Sequence, residues 1–232
     1  MDHRAFAYDI DNEGKLTRLV GNFKGGGSKK IGTEPQQVEL SSHSGLSLGP
    51  HTEAPYWCAV RATENHSPAP SALILSALWN PGLEPTTVIP MPPVLKKLSV
   101  VSNLALTSPN FNFTRSDSFV SGKGEAGQKV SILNFDGNLG FTIRFNSYRF
   151  SPEKDSPVSA KDAFHELCNG IEDANSYQHV LTQTSAIVIN NYRALHCRDT
   201  LKDNRRLLVR LFGLSKYSEA IEISADPLIL RG

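Results

Sequence analysis

Residues His51, Thr52 and Glu53, in the segment LGPHTEAPYW, set an imidazole and a carboxylate two positions apart. On a β-strand, or in its immediate extension, residues i and i+2 point to the same face. His51 and Glu53 can then present a ring nitrogen and a carboxylate oxygen to one point. One further histidine would complete a three-ligand face of an octahedron and leave three cis positions open. That is the two-histidine, one-carboxylate set of non-haem Fe(II) sites. Alone the pair is a weak signal, because a histidine two residues before an acid arises often by chance on a surface.

The third ligand is sought far downstream, in SAIVINNYRALHCRD. There a hydrophobic strand leads through Asn190, Asn191 and Arg193 to His196, 145 positions after His51. His3, His43, His66, His165 and His179 lack a comparable setting, and His165 falls on a predicted helix as a packing or surface residue. Fourteen positions after His196 stands Arg210, in the apolar run RLLVR at 206–210. A guanidinium on such a strand is costly to bury without a partner, and its planar fork matches a carboxylate. Alternation along LLVRLF also permits Arg210 to face solvent at a strand edge.

The elements that must position these groups read as mostly β. Turn signals at 12–14, 25–27, 48–50, 80–82, 122–127 and 135–138 separate short runs rich in β-branched and aromatic residues. Strands are predicted over Ala72–Leu78, Lys129–Leu133, Gly140–Phe150, Ser185–Ile189 and Leu207–Phe212. One longer helix is predicted, capped by Ser159, with Ala163, Phe164, Leu167, Cys168 and Ile171 at helical spacing. A shorter one covers Pro93–Leu98. The expected architecture is a jelly roll with flanking helices, whose strands bring together segments distant in sequence. Gly25–Lys30 and Asn65–Ser71 read as mobile loops.

Composition narrows the function classes. With 24 Lys and Arg against 23 Asp and Glu, the net charge is +1 and offers no general pull toward nucleic acid or anionic membranes. Three cysteines, Cys58, Cys168 and Cys197, show no CxxC spacing and read as reduced thiols. The N-terminal residues carry charges where a signal peptide needs an apolar core, and no apolar run approaches the roughly 20 residues of a membrane span. The expectation is one domain over residues 1–232, cytoplasmic, acting on a small molecule.

HTE at 51–53, the strand with Thr86-Thr87-Val88, NNYRALHCR at 190–198 and RLLVR at 206–210 together resemble the clavaminate synthase-like branch of the taurine dioxygenase superfamily. The resemblance runs in order from about Ser41 to Gly213. It implies a double-stranded β-helix carrying Fe(II), with 2-oxoglutarate and O2 as cosubstrates. His51, Glu53 and His196 would bind iron. Arg210 would pair with the C5 carboxylate of 2-oxoglutarate, helped by Thr87 in preference to Thr86, and Arg206 matches a recurrent position. Tyr56, Trp57, Asp117 and Arg198 are candidate substrate contacts.

The implied activity is hydroxylation, desaturation or ring closure at an unactivated C–H bond of an amino-acid derivative or natural-product intermediate. Glu53 disfavours chlorination, which in related halogenases requires a small residue at the carboxylate position. Two departures stand out. Only 50 residues precede His51, so the usual N-terminal helical part is expected to be reduced or replaced. Four positions after Arg210, where a second arginine often meets the substrate carboxylate, stands Leu214. The alternative is a non-catalytic jelly-roll binding protein with a vestigial metal site. A cupin-like metalloenzyme would cluster more histidines in one motif, a zinc hydrolase would show HExxH, and GKGEAG lacks the strand–turn–helix setting of a dinucleotide loop.

Overall fold

A computed structural model describes residues 2–53, 67–114, 127–223 and 226–232. The strands are, in chain order, β1 (His3–Tyr8), β2 (Arg18–Gly21), β3 (Leu48–His51), β4 (Ala72–Trp79), β5 (Pro85–Pro90), β6 (Phe111–Phe113), β7 (Gly127–Val130) and β8 (Leu133–Asp136). They continue as β9 (Gly140–Ile143), β10 (Phe150–Pro152), β11 (Tyr177–Val180), β12 (Ala186–Asn190), β13 (Ala194–Arg198), β14 (Leu207–Ser215) and β15 (Ile229–Leu230). Among the described residues the α-helices are α1 (Met91–Lys97), α2 (Val100–Leu106) and α3 (Val158–Glu172).

The major sheet runs β12-β4-β14-β1-β15, with β2 also paired to β14. A minor sheet runs β11-β5-β13-β3, and β10-β6-β7 and β8-β9 form two smaller sheets. β13 is packed on both faces of the minor sheet, and its period-2 alternation divides its side chains between two cores. Ala194 belongs to the first core, against the major sheet, with Phe6, Tyr8, Leu73, Leu75, Leu208 and Phe212. Leu195 and Cys197 belong to the second, against α1 and α3, with Ile89, Val94, Phe145 and Leu167. His196 and Arg198 follow the phase of Ala194 and so enter the space between the two sheets.

The strands predicted from pattern are present with shifted bounds. Gly140–Phe150 divides into β9 and β10, joined through a turn in which Arg149 and Phe150 both donate to the Asn146 carbonyl. Lys129–Leu133 likewise divides between β7 and β8. In α3 Ala163, Leu167 and Ile171 are buried, and Phe164 and Cys168 pack partly against the same core. The N-cap of α3 is Pro157, not Ser159, so the helix starts one residue ahead of the predicted cap. The segment 67–71 corrects the mobile-loop reading: Ser67, Ala69 and Ser71 are buried, and Tyr192 and Asn191 donate to the carbonyls of Ala69 and Pro70. It is rich in proline, and side chains of Asn191 and Tyr192 satisfy two of its carbonyls in place of water.

Packing of α3 into the second core rests on Leu167, which has no exposed surface. Leu167→Ala is expected to lower unfolding free energy by about 2–5 kcal/mol in urea denaturation, through lost transfer energy and a residual cavity. A loss below about 0.5 kcal/mol would show that this helix face is not packed as described.

Candidate metal centre

β13 pairs with β3 so that His196 lies directly opposite His51. This register joins residues 145 positions apart and sets the two rings 4.1 Å apart, centroid to centroid. Glu53 follows just beyond the end of β3, and its Oε1 is 3.8 Å from His196 Nε2. Suitable ligand atoms of His51, Glu53 and His196 all lie within 4.8 Å of one another. Both histidines are buried, and the Glu53 side chain keeps only 13% of its surface.

Backbone contacts fix His51 and Glu53. His51 Nδ1 is 2.8 Å from the Gly49 carbonyl, which can only accept, so Nδ1 carries the proton and Nε2 keeps its lone pair. Asn191, buried in the turn before β13, accepts from the Glu53 N–H at 2.9 Å and donates to the Glu53 carbonyl at 3.1 Å. Thr52 is clamped in the same way by Phe145: its N–H donates to the Phe145 carbonyl, and its hydroxyl accepts from the Phe145 N–H.

Electrostatics leave all three side chains in their ligand forms. Burial holds the His51 imidazole below its ordinary pKa, with Glu53 opposing the shift. His196 lies well below the usual range, chiefly from burial and then from the neighbouring His51 and Arg210. For Glu53 burial pushes upward, but the charges of Arg210 and Arg18 and the Arg210 hydrogen bond outweigh it and hold the carboxyl below its ordinary value. Two neutral imidazoles and one carboxylate suit a divalent cation of intermediate softness, and such ligands bind without first releasing protons.

The triad lines a cavity between the two sheets, together with Thr86, Arg198, Arg206 and Arg210 and an apolar wall of Val20, Leu48, Leu75 and Leu208. Arg210 is buried, so the strand-edge reading does not apply. Its Nη1 donates to Glu53 Oε2 at 3.2 Å, its Nη2 to Asp11 Oδ2, and its guanidinium carbon lies 4.1 Å above the centroid of Phe212. Arg206 Nη2 donates to Thr86 Oγ1 at 2.8 Å.

Thr86, not Thr87, faces this cavity. Thr87 pairs with Cys197 in the β5–β13 register and follows that residue to the helix side, where the two side chains hydrogen-bond. Arg198 sits in the cavity wall, with Nη2 on the Ser41 and Ser44 carbonyls. Tyr56, Trp57 and Asp117 lie outside the described residues. Leu214 is buried in the first core.

Three site residues escape sequence reasoning. Asp11 and Arg18 form a buried ion pair, and Arg18 Nε donates to His43 Nε2 at 3.1 Å. Arg18 is also the cross-strand partner of Arg210 in the β2–β14 register. Asp11 thus sits between two facing arginines. Asn191 is the third: its dipeptide is visible in the sequence, but no spacing rule links it to Glu53.

No family model and no curated protein matches the chain. Solved structures do match in fold. The non-heme iron oxygenase OrfP in complex with Fe, succinate and (3S)-hydroxy-L-Arg superposes with a TM-score of 0.71 at 22% identity, over 98% of this chain and 66% of that one. Asparagine oxygenase in complex with Fe(II), 2S,3S-3-hydroxyasparagine and succinate gives 0.74 at 19% identity, with the same two coverages. OrfP in complex with Fe and alpha-ketoglutaric acid gives 0.67 at 21% identity, over 91% and 60%. The chain therefore spans just under two thirds of these structures, and it has the jelly-roll fold of non-heme iron oxygenases. Among its described residues no helix is long and apolar enough to cross a membrane.

The Asp11 bridge carries its own expectation. Asp11→Asn keeps the shape but removes the charge between Arg18 and Arg210, and is expected to cost about 3–5 kcal/mol in chemical denaturation. A cost near zero would mean that the two arginines find other counter-charges.

Proposed function

We propose that the chain forms a single oxygenase domain over residues 1–232, dependent on Fe(II) and 2-oxoglutarate. Its reaction is oxidation of an unactivated C–H bond in a small molecule. The observation that carries this reading is the convergence of His51, Glu53 and His196 on one cavity that is also walled by buried arginines. A metal triad alone fits several reactions, and an arginine wall alone fits many anions. A facial triad beside a carboxylate-binding wall meets the two requirements of this cosubstrate together.

When bound, the iron supplies the oxidising chemistry: 2-oxoglutarate, O2 and R–H become succinate, CO2 and R–OH. The chain supplies the rest. His51 and His196 offer neutral nitrogens, and Glu53 a charge that offsets part of the metal's. Arg206 and Arg210 give a cationic wall for the remote carboxylate of 2-oxoglutarate. Val20, Leu48, Leu75 and Leu208 give the cavity an apolar side, which helps to exclude water and strengthens the charge contacts inside it.

The solved structures of like fold hold arginine- and asparagine-derived ligands, which supports an amino-acid derivative or related natural-product intermediate as the substrate class. Leu214, buried and apolar, offers no contact to a substrate carboxylate.

Anaerobic titration of the protein with Fe(II) and then 2-oxoglutarate is expected to give a weak charge-transfer band at roughly 500–530 nm, the mark of a chelated 2-oxoacid at a facial triad. His51→Ala and His196→Ala are expected to abolish both the band and iron retention. No band and no retained iron in the wild type would reject the oxygenase and favour a binding protein with a vestigial site.

A further inference from the structure

The two sheets are not covered alike. The first core fills the space between them, and the second lies beyond the minor sheet, under the helices. α1 and α2 pack on α3, and all three helices give side chains to that second core. The outward face of the major sheet has none of these helices against it.

Strand alternation decides which residues that face carries. β4 turns Leu73, Leu75 and Ala77 into the first core, so Ile74, Ser76 and Leu78 face outward. β14 turns Leu208, Arg210 and Phe212 inward, which leaves Leu207, Val209 and Leu211 outside. Pairing extends the surface sideways: Val188 of β12 lies opposite Ile74, and Leu19 of β2 opposite Val209. Leu19, Leu78 and Val188 keep 44%, 46% and 47% of their surface, and the other outward residues named are half-buried.

No Asp, Glu, Lys or Arg occupies an outward position of β2, β4, β12 or β14. The hydroxyl at the centre of the face, that of Ser76, is already used, since it donates to the Ser185 carbonyl at 2.9 Å. An antiparallel sheet that meets water on one side ordinarily turns polar residues that way. The nine residues of β14 and a width of four strands give the face a footprint of about 500 Å². Soluble monomers rarely leave a contiguous apolar patch of that size open to water.

Area and charge together choose the occupant. Two such faces in contact would bury about 1,000 Å², which reaches the lower bound for a specific protein pair. A copy that meets itself across a two-fold axis sets like groups against like, and only an uncharged face allows this without repulsion. The relief also suits a second sheet. Gly213 and Ala72, paired across β14 and β4, make a low strip beside the ridge of Ile74 and Leu211. Twisted sheets pack face to face by interdigitating such ridges and strips.

We propose that the outward face of the major sheet is the interface of a homodimer in which two copies pack sheet on sheet. This is independent of the oxygenase reading. The inner sides of β4 and β14 carry Leu75, Leu208 and Arg210 of the cavity wall, so the second copy backs that wall.

Sedimentation velocity of the full chain at roughly 1–100 µM tests the dimer, and the wild type is expected to sediment as two chains. Val188→Lys and Leu78→Lys, at exposed positions on two different strands, are expected to raise the dissociation constant by about a hundredfold or more. Far-UV circular dichroism checks that both remain folded. Val101→Lys, on the exposed apolar side of α2, is expected to leave the dimer intact. A wild type that stays a single chain throughout would overturn the proposal, including the case in which a helical partner covers the face instead. So would a dimer that both face variants leave intact, or one that Val101→Lys splits.

A measurement on the wild type alone removes any dependence on how the variants fold. Hydroxyl-radical footprinting at the two ends of the concentration range is expected to show Leu19, Leu78 and Val188 losing reactivity at the higher one. Val100, Val101 and Leu104 are expected to keep theirs. The opposite pattern would place the interface on α2 and overturn the sheet-on-sheet dimer.

Discussion

The carboxylate of Asp11 is the contact on which the cavity wall depends. Arg18 and Arg210 face each other across β2 and β14, both removed from water. Two like charges at cross-strand distance in a region of low polarity repel strongly, and each has lost its hydration. Asp11 gives one oxygen to each guanidinium. Arg18 is further satisfied by His43, whose ring is held neutral, at about 4, mainly by burial and then by the Arg18 charge. Arg210, anchored on one side, then extends its other nitrogen to Glu53. The direction of the triad's carboxylate is thereby set through an N-terminal turn more than forty positions away in sequence.

The same wall explains how three titratable side chains can sit together without protonating one another. His51 and His196 are close enough that two imidazolium ions would repel, and burial already disfavours either charge. Glu53 sits among cations, and its charged form is favoured despite burial. The triad is thus divided into two neutral donors and one anion by its surroundings rather than by bulk pH. Asn191 completes the arrangement from the backbone side, since its amide both accepts from and donates to the Glu53 peptide.

How much of this is readable from the chain follows from which rules are local. The HxE pair and the distant histidine are legible because ligand chemistry restricts residue types and the strand period fixes which residues share a face. β4, β12, β14 and α3 are legible because their apolar patterns are long. Thr86 is not distinguishable from Thr87, because alternation gives two phases and only the pairing of Val88 with His196 selects one. α2 escapes because Val100, Val101 and Leu104 are exposed, so no apolar stripe marks it. Asp11 sits beside a turn and reads as an ordinary solvated acid until β1 and β2 are placed against β14. Arg198 reads as any charged residue after a motif, and its burial is a product of the first and second cores meeting at β13.

The choice between a working site and a relic turns on cost. A relic has no reason to hold strain, and an apolar replacement of a buried charged group is often neutral or stabilising. Here the interior holds two imidazoles, a carboxylate, an arginine bridge, and two further guanidinium groups without a counter-ion among the described residues. The bridge around Asp11 is internally balanced and can be understood as structure alone. Arg198 and Arg206 cannot, because their unused donors are satisfied by nothing on the described wall and their burial is unfavourable as it stands. A dianionic ligand would supply the missing acceptors, and a cation at the triad would hold its other end. The unbalanced half of the charge network is thus the stronger argument for a binding site than the metal triad, which a relic could keep at little cost.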